Sequence, residues 1–293
     1  MHTPAQTVDT GARSGLGIVT TLALVAPLLA GCAYLEREVA LSDVFPDAAL
    51  ASCVAAALDL SSPTAKVRRL DFDHVEELGC FPEEDLAPGS DPGSVPITDL
   101  TGIDQLDHLV ALDLSGNDIR DLEPLAGHER LEQLTLADNG LLDLTHLASL
   151  PRLTQIGLSG NGIVDLSPLA GMDSLEVLAL GDNDIADLGP LATLTGLVML
   201  DVSGNAVGDL APLAGLPVLT DLSATNSGLV DASGLVDLVA LEYVAVGGPE
   251  LVDVSALLDL PALTVVDVTG SPAGGVVGLD DLEQHGVQIM RLD

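Results

Sequence analysis

Tryptophan is absent from this chain, and the other aromatics are nearly so: three Phe and two Tyr in 293 residues. A conventional globular core fills its interior with bulky rings. Here 47% of the residues are apolar, so the filling falls to Leu, Val, Ile and Ala, which suits a narrow, repetitive interior. Positive charge is the second scarcity. The only Lys is Lys66, and nine Lys plus Arg face 45 Asp plus Glu, a net charge of −36. Binding nucleic acid needs a basic footprint, so that class is excluded. An anionic membrane surface repels the body of the protein. Cations and basic partners remain compatible, and the simplest meaning of the acidity is a coat that keeps a Leu-rich protein from associating.

Long apolar runs are missing as well. The longest candidate, Leu16 to Ala30, is shorter than the roughly 20 residues that span a bilayer. It follows a polar start with one base, Arg13, and ends in small residues, as a cleaved export signal does. Its end, Leu29-Ala30-Gly31-Cys32, resembles the lipobox of bacterial lipoproteins. The resemblance implies that residues 1–31 are removed and that Cys32 is acylated, anchoring the chain to the cell membrane or outer membrane. Residues 32–43 then form a short tether without a Gly-, Ser- or Pro-rich linker, so the folded body is expected close to the membrane. An exported chain meets an oxidising compartment. With Cys32 lipidated, the two remaining cysteines, Cys53 and Cys80, either form one bridge or stay as two buried thiols.

What the chain has in abundance is one pattern. Leucines at 109, 131, 153, 175, 197, 219, 241 and 263 open successive segments of 22 residues with no insertion between them. Each follows approximately L-x-x-L-x-L-x-x-N-x-I-x-D-L-x-P-L. Periods of this length with this leucine spacing belong to leucine-rich repeats. Leu112 and Leu114 alternate as on a strand with one buried face. Leu109, Ile119, Leu122 and Leu125 turn inward from the other sides of the coil, and only stacking buries such a set. Asn117, Asn139, Asn161, Asn183 and Asn205 form a column suited to backbone groups exposed by the turn. The column then changes to Ser227, Pro249 and Ser271, so the last three coils are expected to be less regular. Ser167 before Pro168 looks like an N-cap with a first-turn proline.

These 22-residue repeats resemble those of the internalin family of bacterial surface proteins. The resemblance extends to residues 44–58, similar to a helical N-terminal cap, and to residues 97–109, similar to a first-repeat segment. It implies an α/β leucine-rich repeat solenoid, a right-handed horseshoe of strands and α or 3-10 turns, with a small helical cap over 44–74. The repeats run over 75–286 with an acidic insertion at 82–96. A last helix leads to a terminal strand over 287–293, with Val287, Met290 and Leu292 in strand register. The family resemblance further implies protein binding without catalysis.

Candidate chemistry is sparse. Asp99, Asp121, Asp143, Asp165, Asp187, Asp209, Asp231 and Asp253 recur in one column. They could collect Ca²⁺, but that ion takes six to eight oxygens, and each Asp can instead accept hydrogen bonds in its own turn. The six His show no zinc spacing, and no nucleophile elbow, P-loop or dinucleotide fingerprint occurs. No catalytic residue, metal or cofactor is assigned, and the chain is not expected to be an enzyme. The outward strand positions hold one Tyr and no Arg, although Trp, Tyr and Arg dominate binding hot spots. The best patch is Met199, Asp201, Asp221, Tyr243 and Asp267, set against an ordinary solvated sheet face. The expected function is binding of a protein partner by a monomer at the cell surface, as in adhesion or capture. An envelope scaffold or an acidic cation-binding coat are the alternatives.

Overall fold

Leucines two, three or five residues apart, in a pattern that returns after 22 residues, can be buried only if each turn of chain lies on the next. The computed structural model describes residues 37–82, 95–272 and 275–291 and has that form. Ten strands pair in parallel and in sequence order: β3 (Glu77–Gly79), β4 (Ala111–Asp113), β5 (Gln133–Thr135), β6 (Gln155–Gly157), β7 (Val177–Ala179), β8 (Met199–Asp201), β9 (Asp221–Ser223), β10 (Tyr243–Ala245), β11 (Val265–Asp267) and β12 (Gln288–Met290). At the usual strand spacing the sheet is about 45 Å long. Short 3-10 turns such as Ser167–Leu169 and Ala211–Gly215 return the chain on the convex side. In one coil Leu131, Leu134, Leu136, Leu141, Leu144, Leu147 and Leu150 are all buried. The core is a single column of aliphatic layers.

The Asn column ties each coil to its neighbours. The Asn183 amide oxygen accepts the N–H of Ile163 in the preceding coil (3.1 Å). Its Nδ2 donates to the carbonyls of Leu158, Leu180 and Gly181 (2.9–3.1 Å). Asn139, Asn161 and Asn205 repeat the arrangement. Asn117 donates to Cys80 and accepts from Ile97. The residue before each Asn takes a left-handed φ: Gly116, Asp138, Gly160, Asp182 and Gly204. Gly and Asp alternate there for a steric reason. A Cβ on Gly160 would lie 2.1 Å from Asp138 Oδ1, and one on Gly204 would lie 2.2 Å from Asp182 Oδ1.

Beyond Asn205 the final coils are less regular in their turns, as expected, while their strands stay paired. The pairing of β9, β10 and β11 keeps the same register. Ser227 donates only to its own coil, to Ala224 and Thr225. Main-chain contacts on the far flank take over: Gly208 donates to Ser227 (2.9 Å), and Asp231, Asp253 and Val277 form parallel bridges.

The cap begins earlier than residue 44. A two-residue strand β1 (Val39–Ala40) pairs antiparallel with β2 (Lys66–Val67), and α1 (Leu41–Val44) buries Leu41. Residues 39–43 therefore belong to the cap and not to the tether. Phe45 and Phe72 meet edge to face at 5.8 Å in its core. Asp47 caps α2 (Ala48–Ala57) with one oxygen and accepts Thr98 and Asp99 of the first repeat segment with the other. Burial pushes the Asp47 carboxyl up, but the four N–H groups of Thr98, Leu50, Asp99 and Ala49 outweigh it and hold it below the ordinary range.

Two further expectations need correction. Ser167 does not cap its turn: the turn starts at Ser167, and Asp165 accepts the Ser167 N–H (2.8 Å). After α3 (Leu279–Gln284), the inward position of β12 belongs to Ile289, which pairs with Val266 and packs on the core, while Met290 is exposed. The leader, Cys32, residues 83–94 of the acidic insertion and Leu292 lie outside the described residues.

Candidate functional site

The first and third residues of each three-residue strand face outward, because side chains alternate along a strand. Parallel pairing turns these positions into two rows across the concave face. One row runs Val177, Met199, Asp221, Tyr243, Val265, and the other Ala179, Asp201, Ser223, Ala245, Asp267. All five candidate residues thus lie on β8 to β11. Met199, Asp221 and Tyr243 occupy consecutive strands at one level. Asp201 and Asp267 stand two residues further along, separated by Ser223 and Ala245. Ala245 is only 3% exposed, so it forms a low floor between the two acids. Met199, by contrast, is 47% exposed.

Local hydrogen bonds hold the carboxylates in place. Asp201 Oδ1 accepts the Ser203 N–H (2.9 Å) and Asp267 Oδ1 accepts the Thr269 N–H (2.8 Å). Asp221 Oδ2 accepts the Thr220 hydroxyl (2.6 Å). Gly181 leaves room for Asp201, since a Cβ there would sit 3.2 Å from Oδ2. Tyr243 is half-buried, and its phenol is pushed above the ordinary range, first by burial and then by the charges of Asp267 and Asp221. Thr220 was not singled out from the sequence. Its only signal there is adjacency to Asp221.

The other candidates have structural partners. All eight Asp of the recurring column accept the N–H two residues on, at 2.7–2.8 Å. The hydroxyl and N–H of Thr145 hold Asp143 below the usual carboxylate range, and Ser167 and Ser233 do the same for Asp165 and Asp231. Each carboxylate is therefore held by a hydrogen bond within its own turn. Among the described residues one His-carboxylate group is close enough to share an ion: Asp73, Asp107 and His108. The guanidinium of Arg69 already joins Asp73 (3.3 Å) and Asp107 (2.6 Å). Burial raises the Asp107 carboxyl, but Arg69 more than offsets this and holds it low. The cluster is a clamp between the cap and the first repeat segment. His128 is buried with its ring nitrogens 2.9 and 3.1 Å from the carbonyls of Leu125 and Ile103, another link between coils that spacing did not disclose. Cys53 and Cys80 are joined as a disulfide with Cα atoms 5.7 Å apart.

Among solved structures, the chain is similar to internalin C2 of Listeria monocytogenes, with 34% identity, a TM-score of 0.71, 79% of this chain and 97% of that chain covered. A second Listeria monocytogenes internalin, InlF, matches at 24% identity and a TM-score of 0.70 over 87% of this chain and 78% of that one. A leucine-rich repeat protein of Leptospira interrogans shares the fold at 20% identity and a TM-score of 0.56, over 66% of this chain and 57% of that one. No protein-family model and no curated protein sequence matches the chain.

Proposed function

Because the chain belongs to the internalin family of leucine-rich repeat proteins, we propose that it is an exported lipoprotein that binds another protein through its concave face, without catalysis. The observation that carries this is the set of oriented side chains on β8 to β11. Met199, Tyr243 and three hydrogen-bonded carboxylates share one continuous parallel sheet. Preorganised side chains lose less entropy on binding, and an aromatic next to an apolar chain is the usual anchor composition. The anchor rests on Leu29-Ala30-Gly31-Cys32. No helix among the described residues is long and apolar enough to cross a membrane. Several acyl chains on Cys32 would hold the protein stably where one would not. The outward-facing form of this function, adhesion or capture of an external protein, is the one proposed, with the folded chain acting as a monomer.

Protease shaving of intact cells tests the outward orientation. The expected result is loss of the solenoid while periplasmic and cytoplasmic controls survive. Cleavage only after the envelope is opened would remove adhesion and leave an envelope scaffold as the function.

A further inference from the structure

The later coils carry charge of one sign around one aromatic ring. Between residues 153 and 290 the sequence holds nineteen carboxylates and neither Lys nor Arg. Among the described residues, Asp201, Asp221 and Asp267 form no ion pair. Asp221 stands level with Tyr243 on the neighbouring strand β9, and Asp267 stands on β11 at the other side, two residues further along. Each has one oxygen tied by Thr220 or Thr269, which fixes the carboxylate and leaves its second oxygen without a partner among the described residues. The register sets these two carboxylates on the strands at either side of Tyr243, and both charges raise its phenol.

We propose that this site takes a guanidinium: an arginine on a basic segment of the partner protein, stacked on Tyr243 between Asp221 and Asp267. The concave-face binding proposed above is its premise. A planar guanidinium covers an aromatic face and offers several N–H groups in fixed directions, whereas an ammonium is a compact, strongly hydrated point charge. Neighbouring strands about 4.8 Å apart put an acceptor on either side of the ring. Charge-assisted N–H bonds to carboxylates are the strong kind. Exposed Met199, beside Asp221, suits the aliphatic stem of such a side chain. The same field rejects acidic partners.

The chain has two Tyr and no Trp, so in a Tyr34→Phe variant of the full chain the emission comes from Tyr243. Labelled nona-arginine and nona-lysine peptides are titrated at about 0.15 M salt, where long-range surface charge is screened beyond roughly 8 Å. Binding is read by anisotropy and its location by Tyr243 emission. Nona-arginine is expected to change the emission saturably and to bind about tenfold tighter than nona-lysine. Asp221→Asn with Asp267→Asn should weaken it at least about tenfold. Asp237→Asn with Asp259→Asn, two exposed charges on the convex side, should weaken it less than about twofold. Equal losses from both pairs, equal affinity for the two peptides, or an unchanged Tyr243 emission would each overturn the arginine assignment. If that happens while a native partner still cross-links from position 243, concave-face binding stands and only the arginine falls. If position 243 cross-links nothing, both fall.

Discussion

Replacing Asn183 by Ala is expected to destabilise the protein by about 4 kcal/mol, more than any single leucine-to-valine change in the same coil. Asn183 is 7% exposed and satisfies four main-chain groups in two coils. Removing it leaves the Ile163 N–H buried without an acceptor, which costs about 1–3 kcal/mol alone. The three carbonyls lose a donor each but keep another: Leu158 retains Asn161, Leu180 retains Asn205, and Gly181 retains the Gly160 N–H. Their losses are therefore nearer 1 kcal/mol apiece or less. Because coil-to-coil contact carries solenoid stability, the defect should also broaden the urea transition. Asn183→Ser should cost less, since a serine at this position can still donate within its own coil, as Ser227 does. A loss below about 1 kcal/mol for Asn183→Ala would mean that the column does not couple the coils.

Opening the Cys53–Cys80 bridge should cost about 3.5 kcal/mol, with the damage confined to the cap end. The bridge closes a segment with a sequence separation of 27 residues, and the entropy of a closed loop of that size sets the figure. It fastens α2 to the chain just past β3, beside the point where Asn117 donates to the Cys80 carbonyl. Urea unfolding of the oxidised chain and of a Cys53→Ala, Cys80→Ala variant reads the difference. Hydrogen exchange reads its location: protection should fall over the cap and β3 while β8 to β11 keep theirs, because distant coils do not touch the cap. Identical stability of the two forms, or a uniform loss of protection, would contradict this.

The repeat was legible because burial constrains it. Every coil must present leucine at the same angles, so the sequence displays the period, the strand positions and the outward residues. The small cap strands were not, since a two-residue strand such as Val39–Ala40 has no periodicity to read. The turn cap was misplaced by one repeat position's logic: Ser before Pro resembles an N-cap, but Asp165, two residues earlier, holds the N–H that is free. In β12 the hydrophobic spacing misled, because Met290 is apolar yet exposed and Ile289 takes the inward side. At the concave site, alternation identified Met199, Asp221 and Tyr243 as outward and adjacent. It did not disclose the hydroxyl of Thr220 on Asp221 or the charges acting on Tyr243, which depend on side-chain directions that spacing leaves free.

Photo-cross-linking on intact cells tests the central claim, that the concave face of β8 to β11 is the binding surface. Benzoylphenylalanine is placed at position 243 in one strain and at exposed convex position 237 in another. A discrete protein adduct is expected from position 243 and none from position 237. Adducts from position 237 alone, or equally from both, would contradict it.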